Sequence, residues 1–156
     1  MTVPRERCVT VAKVYRLGFA QRSANVVFGL LTRMGFGAGY RYVLTVPGRR
    51  TGRPCSTPVD VMDVGGNRWL VAPYGEVNWV RNARAAGAVD LSRGRSTTHF
   101  RIEEAAPTQA VPAIREYIRS VPVTRSYWEC GAESTDDEIV AIVPLHPVFR
   151  LLQTAA

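Results

Sequence analysis

Residues 40 to 64, YRYVLTVPGRRTGRPCSTPVDVMDV, decide the fold. The segments Tyr40 to Val46 and Pro58 to Val64 both alternate in the manner of a half-buried strand, and between them lies a glycine-bracketed run, Gly48 to Pro58. Two alternating segments around such a run read as a β-hairpin. Arg49, Arg50 and Arg53 crowd one turn. At about 4 Å and an effective dielectric near 20, one like-charged pair costs roughly 4 kcal/mol before solvent and salt relax most of it. An anion reverses that sign. Glycine positions also let backbone N–H groups approach an oxyanion closely. The turn therefore reads either as a phosphate or carboxylate cradle or as a solvated, arginine-rich hairpin tip.

Outward from the hairpin, Gly65-Gly66-Asn67 forms the next turn and Arg68 to Ala72 a third antiparallel strand, because so short a glycine loop leaves no room for a crossover. Pro73-Tyr74-Gly75-Glu76 breaks the sheet. Asn78 opens a helix through Ala86, with Gly87 closing it and Trp79, Ala83 and Ala86 on one side. Ala88 to Ser92 and Ser96 to Glu103 flank a second basic tip, Arg93-Gly94-Arg95. Five strands linked by hairpins suggest a small barrel. After Pro107, Val111, Ile114 and Ile118 mark a helix ending near Pro122. Thr135 to Glu138 is a capping box ahead of a short helix, and Pro147 to Leu152 is a closing strand. Helices between the halves of the sheet give the manner of a split barrel.

Upstream, Leu17, Ala20, Ala24, Val27, Phe28, Leu31 and Met34 recur at helical spacing, so 17 to 34 reads as an amphipathic helix. It either packs across the domain or, through Lys13, Arg16, Arg22 and Arg33, makes a peripheral membrane contact. Gly35 to Gly39 is a linker, since it precedes a strand instead of joining strand to helix as a dinucleotide fingerprint does. The expected organisation is one domain over 1–156: a helical segment over 1–36, a barrel core over 40–105, and C-terminal helices with a closing strand over 106–156.

The chain has 156 residues and a net charge of +7, unevenly spread. Residues 1 to 54 hold ten basic and one acidic residue, whereas residues 102 to 156 hold four and eight. All basic residues but Lys13 are arginine, the side chain that grips carboxylate and phosphate with two parallel N–H groups. The basic first third suits an anionic ligand. Nucleic acid is not an expected partner, because no basic run is interleaved with aromatics and no zinc-finger spacing occurs. Cys8, Cys55 and Cys130 are odd in number and far apart, which fits a reduced, cytoplasmic setting. His99 and His146 stand alone without ligand-like spacing, so no metal is expected. No run approaches the roughly 20 apolar residues of a membrane span, and Val26 to Leu31 is too short for a signal-peptide core.

Gly48-Arg49-Arg50-Thr51-Gly52-Arg53-Pro54, then Pro58, a hairpin, and about thirty residues beyond the turn Asn78-Trp79-Val80-Arg81-Asn82-Ala83-Arg84-Ala85 resemble the deazaflavin-dependent nitroreductase family. The resemblance covers about residues 17 to 105. It implies an α+β fold, a split β-barrel of antiparallel strands of the pyridoxamine-phosphate-oxidase-like kind, holding F-420, an 8-hydroxy-5-deazaflavin with a phosphate and a poly-glutamate tail. It implies hydride transfer to a small activated acceptor such as an enone, quinone or nitro compound, and a homodimer. The cofactor-binding residues it implies are Arg49, Arg50, Thr51, Gly52, Arg53, Pro58, Ala72, Tyr74, Trp79 and Asn82. Tyr127 and Tyr74 are the candidate proton donors, with Tyr127 preferred because Arg125-Ser126-Tyr127-Trp128 corresponds to a segment that covers the ring face. The chain departs from the pattern at Cys55, where relatives carry a basic residue, and at Glu76, which brings an acid toward the ligand. An FMN-binding oxidoreductase and a carrier of lipids or other small molecules are the alternatives on the same barrel.

Overall fold

The computed structural model describes residues 39–154. The helix expected over 17 to 34, with its membrane contact, lies outside the described residues. Six strands form a closed antiparallel barrel: β1 (Arg41–Pro47), β2 (Pro54–Val64), β3 (Asn67–Val71), β4 (Ala88–Arg93), β5 (Ser96–Glu104) and β6 (Val148–Gln153). Around the barrel they run β1-β2-β3-β6-β5-β4, with β4 returning to β1. Three tight hairpins build most of it. Between β2 and β3 only Gly65 and Gly66 intervene, both at positive φ (61° and 73°), the conformation that a two-residue turn needs to match strand twist. The last strand is the exception, because β6 arrives from far along the chain and inserts between β3 and β5.

The first hairpin is longer than its sequence suggests. The ladder runs from Arg41↔Asp60 to Pro47↔Pro54, so β2 starts at Pro54 and the turn shrinks to residues 48–53. Pro58 consequently lies inside a strand instead of opening one. The Val61 N–H points to β1, donating to the Tyr40 carbonyl at 2.7 Å. By alternation the Pro58 nitrogen points away from β1, to an edge that β3 joins only from Val61 onward. No ladder bond is lost there.

Side chains on alternate positions split the core in two. Leu44, Val46, Val59, Val61, Leu70, Phe100, Phe149 and Leu151 fill the barrel interior. Met62, Trp69 and Val71 face outward and are covered by the helix α2 (Pro107–Ser120) and the short helix α3 (Asp136–Ile142). β2 is therefore buried on both faces from Val59 to Met62. α3 carries the expected cap: the Thr135 hydroxyl accepts from the Glu138 N–H, and the Glu138 carboxylate accepts from the Thr135 N–H at 2.8 Å.

α1 (Asn78–Ala86) has its expected bounds, ending on Gly87 at φ 69°. Its buried face differs from the reading above. Val80, Asn82 and Ala83 are buried, while Ala86 is exposed, because the helix lies against the mouth of the barrel and its last turn leaves it. The histidines do not stand alone either. His99 Nδ1 lies 2.7 Å from Asp90 Oδ1, and the buried His146 places Nε2 2.7 Å from Glu129 Oε2 with its ring against Trp128. Among the described residues no group of three or more His, Cys, Asp or Glu is arranged to hold a metal ion. None of their helices is long and apolar enough to cross a membrane.

Candidate functional site

The site begins at the hairpin tip. The Gly48 N–H donates to the Arg53 carbonyl and the Gly52 N–H to the Gly48 carbonyl, each at 2.8 Å, which closes the turn on itself. Gly52 sits at φ 68°, a conformation that side chains rarely adopt. Gly48 is glycine for lack of space, since a Cβ there would lie 3.1 Å from Thr51 Oγ1 and 3.3 Å from the Arg53 carbonyl. A contact with α1 anchors the turn from outside. Asn82 Oδ1, buried on α1, accepts from the Arg49 backbone N–H (3.2 Å) and from Arg49 Nη1 (2.9 Å).

Beside the turn a cavity of about 780 Å³ opens, within the range of small-molecule and cofactor sites. Arg49, Arg50 and Thr51 form one side of it, and the β2 segment Cys55 to Asp60 runs along it. Pro73, Tyr74, Val77, Asn78 and Trp79, from the end of β3 to the start of α1, supply the opposite wall. Arg41, Tyr117 and the exposed Val123 complete it. Three guanidinium groups and one carboxylate border this space, so its field favours an anion.

Of the candidates from the sequence, Arg49, Arg50, Thr51, Pro58, Tyr74, Trp79 and Asn82 share this one cavity. Asn82 is neither a surface residue nor a free ligand group, because its oxygen already holds Arg49. Trp79 stands half-buried, its ring edge-on to Phe149 with centroids 6.1 Å apart. Three of the cofactor-binding candidates fall outside the lining. Gly52 shapes the turn, Arg53 is exposed beside it, and Ala72 is fully buried in the barrel core between the wall residues Val71 and Pro73. Tyr127 is not in the wall either; it packs edge to face on Tyr74, centroids 4.8 Å apart and planes at 87°. Glu76 turns to Arg84, which also binds Glu104 at 2.6 Å, so that carboxylate belongs to a surface ion cluster and not to the cavity.

Sequence reasoning missed a polar cluster at the end of the cavity farther along β2. Asp60 accepts from Arg41 Nε at 2.9 Å and from the Tyr117 hydroxyl at 3.1 Å. Burial, and next the Asp60 charge, raise the Tyr117 pKa well above its ordinary value, so the hydroxyl stays a neutral donor. The Arg41 pKa is raised chiefly by its hydrogen bond to Asp60. One signal lay in the sequence: an aspartate between two valines on a strand that is otherwise apolar there.

Residues 21–145 match the model of the F420H(2)-dependent quinone reductase family. The chain belongs to this family. F420 is the cofactor that membership in the F420H(2)-dependent quinone reductase family implies, and among the cofactors left open above it selects the deazaflavin over FMN. The acceptor in the family's description is a quinone. No curated protein matches the sequence. Among solved structures the chain is similar to a domain-swapped dimer (14% identity, 85% of this chain and 96% of that one, TM-score 0.54). It is also similar to an F420-H2 dependent reductase, FDR-A (16%, 72% and 94%, TM-score 0.52), and to a protein of unknown function from Agrobacterium tumefaciens (16%, 92% and 60%, TM-score 0.55). These likenesses show the shared split-barrel fold.

The residues present fit such a cofactor. An anionic tail would find Arg49 and Arg50 on a turn closed tightly at Gly48, and a planar ring system would find a wall carrying Tyr74 and Trp79.

Proposed function

We propose that this chain is an F420-dependent reductase that transfers a hydride to a small activated organic acceptor, a quinone before an enone or a nitro compound. The observation that carries this is the joining, in one cavity, of an arginine-bearing turn and an aromatic wall. The bound deazaflavin supplies the electrons as hydride. The protein's own part is placement. Arg49 and Arg50 take the phosphate and tail, Thr51 and Gly52 shape the loop around them, and Asn82 keeps Arg49 in position. Pro58 and Trp79 would border the ring, and the cavity walls would hold an acceptor against it and exclude water.

Reduction also consumes a proton. Tyr74 is the better donor of the two tyrosines because it borders the cavity, whereas Tyr127 packs against it and sets its ring. With Glu76 held by Arg84, the acid near the loop does not oppose an anionic ligand. A cytoplasmic setting and a homodimer belong to the same reading; the domain-swapped dimer among similar structures supports the second through fold alone.

Titrating oxidised F420 with the purified protein tests this directly. Its fluorescence is expected to be quenched with micromolar affinity, and the reduced cofactor to be consumed on addition of a quinone. Arg49→Ala with Arg50→Ala removes charged hydrogen bonds worth about 1.5–3 kcal/mol each, so affinity falls by at least about tenfold and its salt dependence flattens. Unchanged fluorescence at high protein concentration sinks the reading. Lipid carried through purification would point to a carrier instead.

A further inference from the structure

Asp60 places a carboxylate where the strand is otherwise apolar. Its neighbours Val59 and Val61 belong to the barrel core, and Asp60 itself is only 7% exposed. A carboxylate so buried is costly unless it is paired and hydrogen-bonded. Arg41, directly across the ladder, supplies Nε to Oδ1 at 2.9 Å and Nη2 to Oδ2 at 3.4 Å, and the Tyr117 hydroxyl donates to Oδ2 at 3.1 Å. All three side chains border the cavity. A pair needed only to close a core is replaced by apolar residues at little loss; this one faces a space built for a ligand.

The bonding inventory leaves room for one more donor. An ionised carboxylate offers about four acceptor sites. Among the described residues Oδ2 accepts from two donors, Arg41 and Tyr117, and Oδ1 from Arg41 alone. The position fits as well. From Pro54 at the turn to Asp60, β2 advances six residues, about 20 Å at roughly 3.3 Å each. The arginine turn and the carboxylate thus stand far apart along one cavity. A molecule with an anionic end and a donor-bearing ring end matches that polarity, and the reverse orientation sets like charges together.

We propose that Asp60 reads the ring end of the bound molecule by accepting, through Oδ1, a hydrogen bond from a ring N–H or O–H, with Arg41 and Tyr117 as positioning residues that fix the carboxylate. The proposal rests on the F420 reading, since an 8-hydroxy-5-deazaflavin carries such donors. Charge alone predicts the opposite effect on substitution. Asp60→Asn removes a negative charge from the cavity, which by itself tightens an anionic ligand. Loss of the ring's acceptor weakens it, because an amide has one acceptor oxygen for several donors.

The experiment titrates the wild type, Asp60→Asn, Tyr117→Phe and Arg49→Ala/Arg50→Ala with oxidised F420 and with the deazaflavin riboside that lacks phosphate and tail, following fluorescence. Asp60→Asn is expected to weaken both ligands by about tenfold or more while leaving the salt dependence of F420 binding unchanged. The double arginine variant weakens F420 alone. Tyr117→Phe weakens both ligands by a smaller factor, and if Asp60→Asn does not fold this variant decides. Equal or tighter binding by Asp60→Asn, an altered salt dependence, or an unmoved riboside affinity in the deciding variant overturns the proposal with the F420 reading intact. A wild type that quenches neither ligand overturns the F420 reading and this inference with it.

Discussion

Asn82 shows how a single amide can serve a binding site without touching the ligand. Its one oxygen accepts two N–H groups of Arg49, and the side chain is buried. Removing it leaves the Arg49 N–H without its partner, a loss of about 1–3 kcal/mol. Asn82→Ala is therefore expected to lower thermal stability and to weaken F420 binding by several-fold, read by a melt and a titration on the same sample. Asn82→Asp separates the two effects. A carboxylate there keeps both hydrogen bonds, so stability holds, but it neutralises Arg49 and binding still weakens. An Asn82→Ala protein that binds and melts like the wild type would show the turn to be held by other contacts. The family resemblance carried by Trp79 and Asn82 marked this residue in the sequence, but its partner, 33 positions away, could not be read from it.

The β1–β2 turn is the element on which the function depends, and its geometry is local. Gly48 closes the loop, and a methyl group there meets Thr51 Oγ1 and the Arg53 carbonyl, the latter being backbone and unable to swing away. Gly48→Ala is expected to displace the turn by tenths of an ångström and to weaken F420 binding by about tenfold, the scale of one charged hydrogen bond lost. The barrel itself should melt within about 1 kcal/mol of wild type, because the ladder below the turn is untouched. Equal affinity in the two proteins would remove the turn's shape from the account. Local chemistry of this kind was legible throughout. The capping box at Thr135, the positive-φ stop at Gly87 and the Gly65-Gly66 turn were all visible as residue types at fixed offsets. Where the reading slipped, at the start of β2 and at Ala86, the register of a ladder or the edge of a contact surface decided the boundary.

For the whole molecule, closure depends on β6. It enters between β3 and β5 and brings Phe149, 1% exposed, into the barrel interior behind Trp79. Phe149→Ala leaves a cavity and is expected to cost about 3–5 kcal/mol, measured by urea unfolding. A cost under about 1 kcal/mol would show that the barrel relaxes around the loss. The sequence by itself determined the strands, hairpins, caps and the arginine turn, because each depends on periodicity or on residues a few positions apart. Its paired motifs also pointed to the deazaflavin-dependent class, which the family match supports. Tertiary structure alone decided the rest. Asp60 and Tyr117 meet across 57 positions, and Tyr127 stands behind Tyr74 instead of in the cavity wall. Such placements follow from how helices and strands pack once the barrel closes, and no local spacing encodes that packing.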